Sequence, residues 1–287
     1  MKTIPVRQIT SSQRLPSKDG KFSIRNVQQL LGGKDLVHHL HKHDFYFVLA
    51  VAHGSGVHEI DFVPYQVQDN TIFILRPGQV HKLELTAGTT GFLLEFDLSF
   101  YQPKKTISGH RWEKASAKNF CTVESGRFQK LYAHLAAIFD EYNLKEEGFT
   151  EAIKAHLDLF FLEYIRQSKN PNSIVKSESG YIQERFEELV HLLETNIVNM
   201  KGVSEYANLL NLSPYQLNSI AKTSVGKTVS DLINDQIILE AKRHLIATPA
   251  QVKEIADHLG YEDPSYFIRF FKKHTGQSPD NFRKNFK

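Results

Sequence analysis

The chain has 287 residues, a length that favours two domains over one. Hydrophobic residues make up 41% and charged residues 23%, which is typical of a folded globular protein and excludes a disordered or fibrous chain. The formal net charge of +3 is too small to indicate a nucleic-acid partner by itself. The single cysteine, Cys121, excludes an intrachain disulfide and fits a reducing compartment.

The N-terminal segment lacks the apolar stretch that a secretory signal needs. The longest apolar runs, such as residues 45–52, are too short to cross a bilayer. We therefore expect a soluble, cytoplasmic protein with no membrane partner.

The first hundred residues contain short β-branched or aromatic runs separated by turn residues such as Pro77-Gly78. The runs that predict strands are residues 22–27, 45–52, 57–62, 71–75 and 91–96. Short strands at this close spacing predict an antiparallel sandwich or barrel.

Beyond the strand region, apolar residues recur at steps of three and four. This period predicts two amphipathic helices, residues 128–143 and 150–167. Their apolar surface fits packing against the barrel, and it also fits a dimer interface. The polar stretch 168–180, with its Pro and Gly, is the predicted linker between a first domain, 1–167, and a second, 181–287.

The last third of the chain contains an internal repeat. Residues 203–212 align with residues 252–261, and the similarity continues to Gly226 and Gly276. In each copy a short helix is followed by a tight turn and by a second helix that opens on a cap and a proline, Ser213-Pro214 or Asp263-Pro264. A short helix, a turn and a longer helix form the helix-turn-helix pattern.

A long helix is predicted between the two copies, over residues 228–247. Thr228 and Asp231 suit its N-terminal cap, and Thr248-Pro249 ends it. Its length of about 30 Å approaches the roughly 34 Å of one turn of B-DNA. This spacer can present two recognition helices to successive major-groove segments. Helical repeats also build protein-binding solenoids, but those normally need three or more copies.

Charge supports DNA binding only locally, because basic and acidic residues balance over the last third of the chain. The basic residues are concentrated near the C-terminus, in a segment whose only acidic residue is Asp280. They are Arg269, Lys272, Lys273, Arg283, Lys284 and Lys287. We expect the phosphate-binding surface to lie there.

The two copies, residues 203–227 and 255–279, resemble the AraC/XylS family of bacterial transcription regulators, and the resemblance covers residues 181–286. It implies seven helices, two of them recognition helices, that bind promoter sites on double-stranded DNA. It further implies a homodimer, an activator that contacts RNA polymerase, and no enzymatic activity.

Carried over by position, the resemblance implies DNA contacts from both recognition helices. The implied residues are Tyr215, Asn218, Ser219 and Lys222 in the first, and Ser265, Ile268, Arg269, Lys272 and Lys273 in the second. The lysines would lie near phosphates and the other residues at base edges, where Arg269 suits a bidentate guanine contact. Ala221 and Thr223 stand where the family usually has an aromatic and a basic residue. We therefore expect a looser core and weaker phosphate contact in the first copy.

The pair His41-x-His43, together with Pro77-Gly78-x-x-His81, resembles a cupin β-barrel, the usual sensor domain of this family. His41 and His43 would point to the same side of a strand, where His81 can join them. Three imidazoles suit Zn²⁺, Fe²⁺ or Ni²⁺. Metal-binding cupins usually add a glutamate four residues after the second histidine, and that residue is Phe47. We therefore favour a small-molecule or structural role, with no metal and no cofactor.

The predicted pocket for a small-molecule effector is the barrel interior. Strand alternation lines it with His41, His43, Phe45, Phe73, His81 and Glu95. A metal-dependent cupin enzyme and a helical-repeat scaffold are the alternative functions. The predicted fold class is α+β, with an N-terminal cupin-like β-barrel, a helical hairpin and a C-terminal all-α double helix-turn-helix domain.

Overall fold

The computed structural model describes residues 6–7, 21–97, 99–101, 115–116, 118–168 and 177–285. The chain divides between Asn170 and Pro171 into an N-terminal and a C-terminal compact unit. The end of the predicted linker, residues 177–180, is helical, and residues 169–176 lie outside the described residues.

The N-terminal unit is built from ten strands and three helices over the described residues. Its strands are β1 (Val6–Arg7), β2 (Phe22–Asn26), β3 (Leu36–His43), β4 (Tyr46–His53), β5 (Gly56–Ile60), β6 (Val63–Val67), β7 (Thr71–Leu75), β8 (Val80–Leu85), β9 (Thr90–Phe96) and β10 (Phe120–Thr122). Its helices are α1 (Val27–Leu31), α2 (Ser125–Leu144) and α3 (Phe149–Ser168).

The strands form two five-stranded sheets with the orders β1-β3-β8-β5-β6 and β10-β7-β4-β9-β2. Their pairings are antiparallel except for β1 with β3. The predicted α+β class with an antiparallel N-terminal domain is confirmed. Among the described strands, the hydrogen bonds form two separate sheets, so the predicted cupin-like barrel is not closed.

Strand β4 explains how the two sheets and the helices pack. Phe47 and Leu49 contribute to the apolar core shared by the two sheets, whereas Val48 and Ala50 face the opposite side. There they join a second core with α2 and α3. Because both faces of the strand are covered, its sequence is a continuous apolar run.

The helical hairpin packs against the second sheet, as one of the two interpretations of its apolar surface predicted. The buried face of α2 is formed by Phe128, Leu131, Leu135 and Ile138. These side chains share a core with the outward face of β4 and with α3. The predicted helices are shorter than the observed ones by one to three residues at each end.

The C-terminal unit is all-helical over residues 177–285. Its helices are α4 (Ser177–Asn196), α5 (Val203–Leu209), α6 (Pro214–Val225), α7 (Val229–Ala247), α8 (Val252–His258), α9 (Pro264–Thr275) and α10 (Pro279–Asn285). These are the seven helices that the family resemblance implies. Within the described part of the chain, no helix is both long enough and apolar enough to span a bilayer.

The predicted caps fix the ends of the long helices in this unit. The Ser213 side chain accepts a hydrogen bond from the backbone N–H of Gln216, and the Asp263 side chain accepts one from the backbone N–H of Ser265. Helices α6 and α9 end at Gly226 and Gly276, whose φ angles of 72° and 78° are left-handed. Thr228 caps α7, as predicted.

Candidate nucleic-acid interface and ligand site

The turn of each helix-turn-helix unit is held by the same hydrogen bond. The Leu212 amide donates to the Ala207 carbonyl at 2.9 Å, and the Tyr261 amide donates to the Ala256 carbonyl at 2.9 Å. The residue before each donor, Asn211 or Gly260, has a left-handed φ of 53° or 74°. The repeat in the sequence is therefore a repeat in the backbone.

The second recognition helix, α9, has one buried and one exposed face. Phe267 and Phe271 are fully buried. The predicted DNA-contacting residues are all exposed: Ser265, Ile268, Arg269, Lys272 and Lys273. Arg269 Nη2 lies 3.8 Å from Asp263 Oδ2, and both side chains are more than half exposed. An ion pair this exposed contributes little to folding stability. The guanidinium can therefore exchange Asp263 for another partner.

The first recognition helix, α6, exposes Tyr215, Ser219 and Lys222, and Tyr215 is 84% exposed. Asn218 differs from these three because its amide is engaged within the unit. Its Nδ2 donates to the Pro214 carbonyl at 3.0 Å, and its Oδ1 accepts from the Val229 amide at 3.0 Å. Asn218 thus joins α6 to the first turn of α7, and a base contact would have to replace these bonds.

One of the basic residues near the C-terminus is used inside the protein. Arg283 Nε donates to the Leu245 carbonyl at 2.8 Å, and its Nη2 donates to the Ala250 carbonyl at 2.6 Å. These bonds fasten α10 to the end of α7, and a phosphate contact from the same nitrogens would have to replace them. Lys284 is exposed, and Lys287 lies outside the described residues.

The second candidate site lies on the inner face of the first sheet. His41 on β3 is directly opposite His81 on β8, and Ile60 on β5 is opposite His81 from the other side. The turn before β8 sets this register, because the Gly78 amide donates to the His43 carbonyl at 2.8 Å. Asp61 also holds β8, since its carboxylate accepts from the Val80 amide at 3.2 Å.

Four buried histidines meet there and form what we call the histidine cluster: His41, His43, His58 and His81. His43 Nε2 lies 2.6 Å from His81 Nε2, and His58 Nε2 lies 2.8 Å from His81 Nδ1. His41 Nδ1 donates to the His39 carbonyl at 2.6 Å. The structure therefore brings together the three predicted histidines and adds His58, which sequence reasoning missed.

Burial keeps two of the four histidines, His58 and His81, neutral. It lowers the pKa of His58 to about 3, with a further contribution from nearby His41. Burial, and then the neighbouring imidazoles, also lower the pKa of His81 well below its usual value. Both rings are therefore uncharged at neutral pH, and each presents one nitrogen lone pair.

Aromatic side chains surround the cluster. The Phe45 ring centroid lies 4.3 Å from that of His43, and the Phe73 ring centroid lies 4.7 Å from that of His58. Phe47 contacts the His81 ring at 5.3 Å. Glu95 is opposite Phe47 in the next strand, and its carboxylate accepts from Arg25 Nη2 at 2.7 Å. Glu95 thus differs from the other five predicted pocket residues because it forms an ion pair with Arg25.

Both units match known families. Residues 31–161 match the AraC-like ligand binding domain, and residues 206–285 match a helix-turn-helix domain. The uncharacterized HTH-type transcriptional regulator YfiF of Bacillus subtilis is 25% identical, covering 96% of this chain and 87% of YfiF. The HTH-type transcriptional activator RhaS of Pectobacterium carotovorum is 24% identical, covering 85% of this chain and 86% of RhaS. A ToxT structure from Vibrio cholerae has a TM-score of 0.43 at 16% identity, covering 93% of this chain and 98% of ToxT.

A ligand-binding domain followed by a tandem helix-turn-helix domain defines a class of DNA-binding transcription regulators. The chain belongs to the AraC/XylS family of that class, as the resemblance in its last third predicted.

Proposed function

We propose that this regulator reads promoter DNA through the exposed faces of α6 and α9. The observation that carries the proposal is the division of α9 into two faces. Phe267 and Phe271 fill the core, while Ser265, Arg269 and Lys272 recur at three- and four-residue steps on the exposed side. A polar and basic helix face of this kind suits base edges flanked by phosphates.

Selection of bound duplexes from a random DNA pool tests this proposal with the full chain. We expect a motif with two half-sites separated by about 10 base pairs, since α7, with 19 residues and a length of about 28 Å, approaches one DNA turn. A Lys130→Ala variant, which removes an exposed charge from the N-terminal unit, serves as the control and should select the same motif. Failure of the wild type to enrich any sequence would contradict the proposal.

We further propose that a small-molecule effector binds between the sheets of the N-terminal unit and controls DNA binding. The match of residues 31–161 to a ligand binding domain supports this role. The interior of this unit combines an apolar core with a few convergent polar groups, which is the usual make-up of a ligand site. Genome-wide footprints with and without candidate effectors test it, and occupancy that responds to none of a broad panel would count against it.

The remaining parts of the proposed function concern partners. We propose a homodimer that activates transcription in the cytoplasm through contact with RNA polymerase and that catalyses no reaction. The activator role is supported by the name of RhaS, and the dimer is carried over from the family resemblance. Sedimentation equilibrium tests the dimer, and a monomer at every concentration would contradict it.

A further inference from the structure

We propose that His41, His43 and His81 form a binding site for a divalent transition-metal ion, with Zn²⁺ the ion that fits it best. One ring nitrogen from each of the three lies within 4.8 Å of the others, and all three side chains are buried. Zn²⁺ binds imidazole nitrogens at about 2.0–2.1 Å, so nitrogens that share one ion lie ~3.3 Å apart.

His41 already has the tautomer of a metal ligand. Its Nδ1 lies 2.6 Å from the His39 carbonyl oxygen, which can only accept a hydrogen bond. The proton is therefore on Nδ1, and the lone pair of the neutral ring is on Nε2. Metal-binding histidines usually have their second nitrogen held in this way by a carbonyl or a carboxylate.

The contact between His43 and His81 marks the position of the ion. Their Nε2 atoms lie 2.6 Å apart, a distance that two facing lone pairs do not tolerate, so a proton lies between them. Zn²⁺ takes the place of that proton. The shared proton belongs to His43 Nε2 when His81 carries its own proton on Nδ1, toward His58. On metal binding it moves to His43 Nδ1, and both imidazoles remain neutral, as metal ligation requires.

His58 acts as a positioning residue behind His81. Its Nε2 lies 2.8 Å from His81 Nδ1, where it accepts the proton that His81 carries when its Nε2 binds the metal. The other nitrogen of His58, Nδ1, has no hydrogen-bond partner among the described residues. The one hydrogen bond between the rings thus fixes the His81 orientation from the side opposite the ion, as the outer partners of zinc ligands do.

The donor set selects the kind of ion. Three neutral nitrogens suit Zn²⁺ and its transition-metal neighbours, whereas Mg²⁺ and Ca²⁺ require oxygen ligands. Phe47, whose ring contacts His43 and His81, occupies the position where metal-binding cupins usually have glutamate. The site therefore has three nitrogen donors and leaves a fourth position for water or another small ligand.

Equilibrium dialysis of the chelator-treated full chain against Zn²⁺ tests the proposal, with Co²⁺ absorption as a readout of ligand geometry. We expect about one ion per chain in the wild type, and loss of binding by more than about 100-fold in His43→Ala and His81→Ala. His58→Ala should weaken binding by about 10- to 100-fold, the usual effect of removing an outer partner. His39→Ala is the matched control, because it removes an exposed imidazole but keeps the carbonyl that His41 uses.

Two results would overturn the site. The first is wild-type Zn²⁺ binding no tighter than that of the His43→Ala, His81→Ala double variant. The second is an equal loss in His39→Ala. His43→Gln and His81→Gln keep the cluster filled and guard against misfolding, which circular dichroism checks.

Specific DNA binding without Zn²⁺ binding contradicts only the metal site, and Zn²⁺ binding without specific DNA binding contradicts only the proposed function.

Discussion

The two helix-turn-helix units share a backbone but fill it with different side chains. In the first unit, Tyr206 from α5 packs with the smaller Leu217 and Ala221 of α6. In the second, α9 contributes Phe267 and Phe271 at the aligned positions, and both are fully buried. The turn hydrogen bond is 2.9 Å in each. The two units thus share the turn, while the large buried aromatic side chains come from the first helix in one unit and from the second helix in the other.

The exposed faces differ in the same direction. On α9, Ile268 and Arg269 are exposed, whereas the aligned residues on α6 are Asn218, which is bonded to α7, and the shorter Ser219. Thr223 stands where the second unit has a lysine. The exposed residues of α9 therefore have longer side chains available to contact DNA than the aligned residues of α6. Variants at aligned positions can measure how far this difference between the two units extends.

The largest effect is expected from Phe271→Ala, which gives the second unit the residue that the first has at position 221. Removal of a fully buried phenylalanine should lower the free energy of unfolding of the C-terminal unit by about 3–5 kcal/mol. Urea denaturation followed by far-UV circular dichroism measures it. A loss below about 1 kcal/mol would mean that the second unit relaxes around alanine, and the proposed difference between the cores would be wrong.

Arg269→Ala is expected to weaken specific DNA binding by about 1–3 kcal/mol and to relax one base position. Ser219→Ala at the aligned position of α6 should have a smaller effect, because the serine has less reach. Binding titrations on the selected motif and on random DNA measure both. An equal loss for Arg269→Ala on both DNAs would assign the guanidinium to phosphate rather than to a base.

Asn218→Ala separates a structural role from a base contact. Its amide caps the Val229 N–H, so its removal should lower the free energy of unfolding by about 1 kcal/mol. Ser219→Ala, on the exposed face next to it, should leave stability nearly unchanged. Unchanged stability in Asn218→Ala, together with relaxed sequence preference, would restore the base-contacting role that the resemblance implies.

The sequence predicts those elements whose bounds depend on residues close to one another along the chain. The three- and four-residue period set α2 and α3, and caps such as Thr228 set the ends of α7, because these signals act within a few residues. The apolar pattern does not predict strands β3 and β8, although both contain the histidine motifs. Histidines, rather than apolar residues, occupy part of their inner faces, and this hides the alternation.

The parts of the sites that escaped prediction depend on pairing between distant segments. His58 was missed although it falls in a predicted strand, where alternation places it on the same face as Ile60; that signal was present. The Asn218 bond to Val229 requires the packing of α6 against α7, and the Arg283 bonds require α10 to meet the end of α7. No pattern within either segment carries that information.

The smallest effect, and the sharpest measure of the difference in charge, is expected from lysines at the end of α6. Lys222→Ala should reduce the slope of log binding constant against log salt by about one, and Thr223→Lys should increase it by about one, on specific and random DNA alike. Both positions are exposed on the last turns of α6. Lys130→Ala should leave the slope unchanged. If Thr223→Lys also leaves it unchanged, the end of α6 lies away from the phosphates, and the weaker charge of the first unit has no bearing on DNA affinity.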